Sequence, residues 1–219
     1  MPTSVWKTVR KHLLLAAVLL SGTGLLLGSD ISAATSTTRP HTALVSATPS
    51  GRPGNGWSGW GLDWWRRDVE GEYQWGPTGQ SISVSSSGRY VAFDSVASDL
   101  VHGDTNGASD VFVRDTLSGR TERVSVSSSG SQGDSESAYP AISGDGRYVA
   151  FTSLAENLAP GDVAHGFDVF VHDRVTHRTE LVSGRVLGGH QPCISDDGRY
   201  VAWNNGNIYV RDRTTGTLR

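Results

Sequence analysis

Three times the chain repeats one phrase: Gly88-Arg89-Tyr90-Val91-Ala92-Phe93, Gly146-Arg147-Tyr148-Val149-Ala150-Phe151 and Gly198-Arg199-Tyr200-Val201-Ala202-Trp203. In the last two copies an Asp-Gly pair, Asp145-Gly146 and Asp197-Gly198, leads in, the strongest short signal for a tight two-residue hairpin turn. Ile142-Ser143 or Ile194-Ser195 stands behind the turn, and a Tyr-Val-Ala-aromatic run of β-forming residues lies ahead. Each copy reads as strand, tight turn, strand.

The phrase belongs to a longer duplication. At an offset of 58 residues, positions 84–125 and 142–183 agree at 22 of 42 places without a gap. So long an ungapped match is an internal repeat, and it governs every local reading. The second unit divides into four β-like pieces: Ala141 to Ser143, Tyr148 to Ser153, Asp168 to Asp173 and Thr179 to Ser183. The first unit has the same four, ending with Asp110 to Asp115 and Thr121 to Val126. The third starts at Gln191 and replaces the long middle loop with a tight hairpin at Asn204-Asn205-Gly206-Asn207. A fourth strand of that unit is due at Thr217-Leu218-Arg219. The repeats therefore cover 81–126, 139–183 and 191–219.

Residues 1–34 have the layout of a secretory signal peptide. Lys7, Arg10 and Lys11 precede an apolar run from Leu13 to Leu27, and Ser32-Ala33-Ala34 offers small residues for cleavage. A retained anchor is the rival, but the run falls short of the ~20 apolar residues of a spanning helix. Removing the leader's three basic residues and one acid leaves 16 arginines against 21 acidic residues. That acidic balance, with no basic cluster, argues against nucleic acid or an anionic membrane as partner. Export also implies an extracellular or cell-envelope location.

Residues 35–80 read as a Ser/Thr/Pro/Gly-rich linker with two features. Thr42-Ala43-Leu44-Val45-Ser46 resembles Thr121-Glu122-Arg123-Val124-Ser125, and Ser50-Gly51 and Gly54 match Ser129-Gly130 and Gly133. Residues 42–56 thus look like a detached last strand and its following loop. Five of the seven tryptophans, Trp57, Trp60, Trp64, Trp65 and Trp75, crowd into the next nineteen positions. Leu62, Trp65 and Val69 suit a short amphipathic helix. The segment is either an aromatic platform for sugars or a lid packed on the neighbouring sheet.

Four strands per repeat, with Ser143-Gly144-Asp145-Gly146-Arg147-Tyr148-Val149-Ala150-Phe151 and Asp168-Val169-Phe170-Val171-His172-Asp173, resemble the WD40-like (PD40-type) repeats of TolB-type β-propellers. The third copy matches through Ser195 to Trp203 and Ile208 to Asp212; the first departs at Ser86-Ser87-Gly88. The resemblance implies an all-β fold, a β-propeller of four-stranded blades, and it implies that an N-terminal strand such as Thr42 to Ser46 completes the last blade. Propellers typically close with four to eight blades. With about three present, either the chain is part of a longer propeller or two chains form a six-bladed ring as a homodimer. Family members are scaffolds, transport-associated periplasmic proteins and non-catalytic portions of peptidases, which implies binding of a protein partner.

Chemistry is sparse. Asp104, Asn106 and Asp110 around a turning Gly107 look like part of a calcium loop, the one candidate cofactor site. The second copy keeps only Asp162 and Asp168, so turn closure by Asp is the competing reading. His41, His102, His165, His172, His177 and His190 share no repeat position, and neither a Gly-x-Ser-x-Gly elbow nor a His-Glu-x-x-His helix occurs. The expectation is a non-enzyme without catalytic residues or a cofactor. His172 stands where Arg114 and Arg211 stand and reads as an exposed strand residue. Cys193, with Ser83 and Ala141 as equivalents, reads as a small buried packing residue. Asp115, Asp173 and Asp212 close the third strands, with Arg120, Arg178 and Thr217 a few residues on, and a hydrogen bond or ion pair within the blade is the expectation. A secreted scaffold for a protein partner is the leading expectation. Carbohydrate or cell-wall binding through the tryptophans, or service as the propeller portion of a larger hydrolase, are the alternatives.

Overall fold

The duplicated phrase builds the second strand of each of three antiparallel sheets in the computed structural model. The structure describes residues 43–59, 66–67, 73–74, 81–162, 166–184 and 188–219, all within the unit Thr42–Arg219. The first sheet is β3(Ile82–Val84), β4(Tyr90–Ser95), β5(Asp110–Asp115) and β6(Thr121–Arg123), after a two-stranded piece of β1(Arg66–Arg67) and β2(Tyr73–Gln74). The second is β7(Ser137–Ile142), β8(Tyr148–Ser153), β9(Asp168–Asp173) and β10(Arg178–Leu181). The third is β11(His190–Ile194), β12(Tyr200–Asn204) and β13(Ile208–Asp212). Strands pair in chain order in each, so every sheet is an up-and-down blade. Among the described residues no helix is long and apolar enough to cross a membrane.

The first strand β7 lies beside both β3 and β11, while the outer strands β6 and β10 make no comparable contact. The blades therefore fan out from their first strands. Between blades 1 and 2 the core is Ala92, Val111, Val113 and Val124 against Phe151, Ala155, Leu158 and Phe170. Between blades 2 and 3 it is Ala150, Val169, Val171 and Val182 against Val201 and Trp203. Equivalent positions do equivalent work: small or β-branched on the face toward the next blade, aromatic on the face toward the previous one. The aromatics stack in pairs inside each blade, Phe93 on Phe112 and Phe151 on Phe170 at 5.8 Å, Trp203 on Tyr209 at 5.9 Å. Alanine at 92 and 150 lets the sheets approach, and both are fully buried.

The turn before each phrase is wider than the two residues expected. Ser143 N–H donates to Tyr148 O and Gly146 N–H to Ser143 O, both at 2.9 Å. Ser143 Oγ accepts from Tyr148 N–H and donates to Asp145. The serine hydroxyl and Asp145 thus satisfy backbone groups that a wider turn leaves open. Gly146 carries the positive φ, as do Gly88 and Gly198.

The expected closing strand, Thr42 to Ser46, does not join the third blade. Within Ala43–Ser46, Val45 instead packs on the first blade's Phe93, Ala97, Leu100 and Phe112. The loop that follows it copies the loop between blades 1 and 2. Ala47 bridges Pro53 as Val126 bridges Gln132, and Gly54 N–H reaches Ser46 O as Gly133 N–H reaches Ser125 O, both 3.1 Å. Beside β13, Leu218 bridges Arg211, the start of the fourth strand due there. Of the segment expected to be helical through Leu62, Trp65 and Val69, Arg66–Arg67 is described and is strand β1; Leu62, Trp65 and Val69 lie outside the described residues.

Candidate interaction surface and buried clusters

Each blade has two ends. The phrase turns and the hairpins between third and fourth strands share one end; the long loops and blade crossings share the other. The short-turn end is tied by a repeated bond. Arg89, Arg147 and Arg199 each grip the aspartate closing the third strand, Asp115, Asp173 and Asp212, through Nε and Nη2, the Nη2 contact being 2.7 Å throughout. The Arg120 and Arg178 side chains are not the partners of these carboxylates, although the Asp115 and Asp212 N–H groups donate to Arg120 O and Thr217 O at 2.9 Å. Register decides this: Tyr90 lies opposite Asp115 and Tyr148 opposite Asp173, which sets the preceding arginine beside the carboxylate. Bidentate contact, with backbone N–H groups from the following turn, holds all three carboxylates well below the usual range.

The tyrosine of the phrase is sandwiched between blades. Arg89 lies over Tyr90 from its own blade at 4.8 Å, and Arg174 from the next at 4.3 Å. Arg147 and Arg213 repeat this on Tyr148. Arg174 also pairs with Glu122, and Arg213 with Glu180 at 2.6 Å, so each outer arginine bolts two blades together. Between blades 2 and 3 these groups border a cleft of about 330 Å³ lined by Tyr148, Asp173, Thr176, Arg178, Glu180 and Arg213. Val175 and its equivalent Leu117 project beside the turns, both exposed. None of the cleft residues figured among the expected site residues. The usable signal was Asp173-Arg174 and Asp212-Arg213, an arginine following the strand-closing aspartate in two copies.

At the loop end Asp104, Asn106 and Asp110 do converge. Asp110 is fully buried and accepts from Ser125 Oγ at 2.5 Å, Asn106 Nδ2 at 3.1 Å and Arg123 Nη1 at 3.2 Å. Arg123 Nη1 also lies 3.3 Å from Asp104, and Nη2 donates to Gly103 O. A guanidinium stands between the carboxylates and already pairs with both. A hard cation needs six or more oxygens and would have to displace it, so these residues as placed do not fit calcium. Burial is the main influence on both carboxyls and pushes their titration up, with Arg123 opposing. Blade 2 has Leu181 in place of Arg123; there Asp168 bonds Ser183, and burial likewise raises its titration.

Two other expectations are corrected. His172 is 3 % exposed, not a surface residue: its Nδ1 meets Thr179 Oγ1 at 2.9 Å, and that hydroxyl donates to Val126 O on the crossing loop. Arg114 makes the same connection in blade 1, to Thr121 at 2.9 Å and Ala47 O at 3.4 Å. Cys193 is exposed, not buried, because no further blade among the described residues covers β11.

Of the tryptophans proposed to bind ligand, Trp57 is described and is 68 % exposed; Trp60, Trp64, Trp65 and Trp75 lie outside the described residues. The attachment of their segment is described. Ser58 bonds Ser95 at 2.9 Å as Ser137 bonds Ser153, and Gly59 N–H reaches Asp94 O. Strand β3 resumes at Ile82, opposite Phe93. The segment is therefore inserted into the first strand of blade 1. Blades 2 and 3 carry Tyr139 and Gln191 with positive φ at the corresponding irregularity.

No protein-family model matches the chain, and no curated protein matches it. Solved structures similar to it include TolB from Acinetobacter baumannii, 16% identical over 69% of this chain and 35% of that one, with a TM-score of 0.41. A TolB from Agrobacterium tumefaciens is 16% identical over 63% of this chain and 46% of that one, TM-score 0.43. A prolyl endopeptidase is 20% identical over 70% of this chain and 25% of that one, TM-score 0.42. The chain thus spans less than half the length of each. The described residues form adjoining antiparallel blades of a β-propeller, and the chain is similar in fold to these TolB propellers.

Proposed function

We propose that this chain is an exported, non-catalytic β-propeller scaffold that binds a protein partner at its short-turn end. The observation that carries this reading is the row formed there by equivalent positions of adjacent blades. Leu117 and Val175 project, Arg120 and Arg178 stand exposed beside them, and the cleft between blades 2 and 3 opens next to Val175. Apolar side chains flanked by arginine are the composition enriched in protein interfaces. Polar groups elsewhere in the described blades support the scaffold reading, since Asp110, Asp168 and the strand-closing aspartates are engaged in bonds within their blade. Export follows from the leader read in residues 1–34.

The test is capture from the cell-envelope fraction of the producing organism by immobilised chain, with Leu117→Asp/Val175→Asp as comparison. Both side chains are exposed, so the variant keeps its melt. A defined protein held by the parent and released by the variant supports the reading. Equal capture by both would place the interface elsewhere. Exposed Trp57 favours one alternative, carbohydrate binding: soluble cell-wall glycan that quenches tryptophan fluorescence, without any captured protein, would replace the first reading.

A further inference from the structure

Two ion pairs cancel at the short-turn end of each inner junction, and one arginine is left over. Between blades 2 and 3, Arg147 pairs with Asp173 and Arg213 with Glu180. Between blades 1 and 2, Arg89 pairs with Asp115 and Arg174 with Glu122. Arg178 and Arg120 are the remainder: both are exposed, and neither guanidinium bonds or pairs with any described residue. Their places are equivalent and fixed by the ladder. Arg178 lies opposite Asp173, and the carbonyl of Arg120 accepts from Asp115 N–H at 2.9 Å. A four-stranded sheet bounds the first junction on each side, so Arg120 is exposed beside a complete contact.

Each spare arginine has an aliphatic side chain three residues before it. Leu117 is 79 % exposed and Val175 67 %. The hairpins that carry them are stiff: Asp115 accepts from the N–H groups of Leu117 and Ser118, and Asp173 from those of Val175 and Thr176. A rigid hairpin presents its side chains with little ordering left to be done on binding. The phrase turns at the same end carry the opposite charge, since Asp145, Asp196 and Asp197 are exposed. Asp145 and Asp197 are held there by the N–H groups of Arg147 and Arg199. A continuous polyanion laid across this end would meet those carboxylates as well as the arginines. A peptide whose carboxylates are spaced by aliphatic residues would not have to.

We propose that the protein partner is held through an acidic, aliphatic segment: one Asp or Glu side chain enters the cleft between blades 2 and 3 and pairs with Arg178, while an aliphatic neighbour rests on Val175. Arg120 and Leu117 offer the same half-site one blade earlier. The cleft of about 330 Å³ also has Asp173, Glu180 and Arg213 in its wall. Their charges are already matched, so the unmatched charge among the lining residues is positive. A guanidinium presents a planar fork of donors that suits a carboxylate in bidentate contact. A carboxylate that enters the cleft is partly withdrawn from water, which strengthens the pair relative to one on an open surface. The inference rests on the partner-binding reading and adds the partner's chemistry.

The test is selection of a random peptide library, displayed on phage, on the immobilised full chain and on Arg120→Gln/Arg178→Gln. Both arginines are exposed and unpaired, so the variant keeps its melt. The expected result is a parent pool enriched in Asp and Glu beside aliphatic residues, and a variant pool without that bias. By fluorescence anisotropy, Arg178→Gln should weaken a selected peptide about tenfold, as should amides in place of the peptide's carboxylates. An unselective parent pool, no selected peptide, or a peptide bound equally by Arg178→Gln would each overturn the inference. Heparin that displaces the peptide while binding the parent as tightly would replace it with a polyanion site. Envelope capture lost on Leu117→Asp/Val175→Asp but retained by Arg120→Gln/Arg178→Gln would overturn this inference alone. Capture undiminished by Leu117→Asp/Val175→Asp would overturn the reading beneath it.

Discussion

Acid should weaken this fold through one imidazole. His172 is sealed between Thr179 and the crossing loop, and burial is the main cause that drives its titration down from 6.5 to about 4. Glu122 and Asp173 oppose that shift, while His177 and Arg174 reinforce it. The unfolded chain therefore takes up this proton at a higher pH than the folded chain does. Stability from the neutral ring is full above 6.5 and is lost as pH falls toward 4. With one unit of titration worth about 1.4 kcal/mol, the loss between pH 7 and pH 5 comes to about 2 kcal/mol, and to about 3 kcal/mol below both values. The assay is urea unfolding at pH 7, 6, 5 and 4.5 for the parent and His172→Gln, whose amide stays neutral. The parent's free energy should fall more steeply than the variant's by about 2 kcal/mol at pH 5. Parallel curves would refute the reasoning, since they would mean the ring reaches water or keeps its proton in the fold.

Gly146→Ala forces a Cβ against the Tyr90 ring and strains a positive φ, so it should cost about 3 kcal/mol in thermal melts, within the range of overpacking and backbone effects together. Gly88→Ala, with the same backbone and open space, should cost only the backbone share of about 1 kcal/mol. Arg123→Leu copies blade 2 into blade 1 and leaves Asp104 and Asp110 without their cation; a loss of about 3 kcal/mol at neutral pH is expected, shrinking as pH falls and the raised carboxyls protonate. Millimolar calcium should leave the parent's melting temperature unchanged and raise that of Arg123→Leu, and a parent that responds to calcium would contradict the role given to Arg123.

The blade pattern was legible because it is local. Alternation, turn glycines and a 58-residue offset are all properties of short stretches, and β8, β9, β5 and β13 begin and end within the stretches that those signals mark. What the sequence hid depends on register or on a neighbouring blade. Arg147 and Asp173 are 26 residues apart, and only the Tyr148–Asp173 pairing makes them adjacent. Arg178 is nearer in the chain and was the natural guess. His172 looked exposed because its equivalents are arginines. A crossing loop presents a carbonyl there, though: Arg114 meets Ala47 O directly, and His172 is linked to Val126 O through the Thr179 hydroxyl. Cys193 was misjudged for the opposite reason: a small residue on a first strand is buried only if another blade follows. The insertion carrying the tryptophans could have been placed from numbers alone. Ala47 and Val126 are 79 residues apart, against a repeat of 58, which leaves about 21 extra residues between Gly59 and Ser81.

Blade 3 is an internal control on what holds such a fan together. Its second and third strands pair in full register, from Tyr200 opposite Asp212 to Asn204 opposite Ile208, its first strand carries the irregularity that blade 2 also has, and its Arg199–Asp212 bond repeats the geometry of the others. Its hydrogen-bonded sheet is thus as complete as its strand count allows. Yet Ile208 and Cys193 face solvent on the side that blades 1 and 2 bury, and Tyr200 carries one arginine over its ring where Tyr90 and Tyr148 carry two. The difference lies in contacts across blades, apolar and cation–aromatic ones foremost among them. At about 25 cal/mol per Å² such contact outweighs a solvent-exposed ion pair of 0 to about 1 kcal/mol. The second strands' alanine and the phrase's Gly and Tyr, which look like turn-and-strand residues, act chiefly between sheets. A blade of this kind is stabilised by its neighbour.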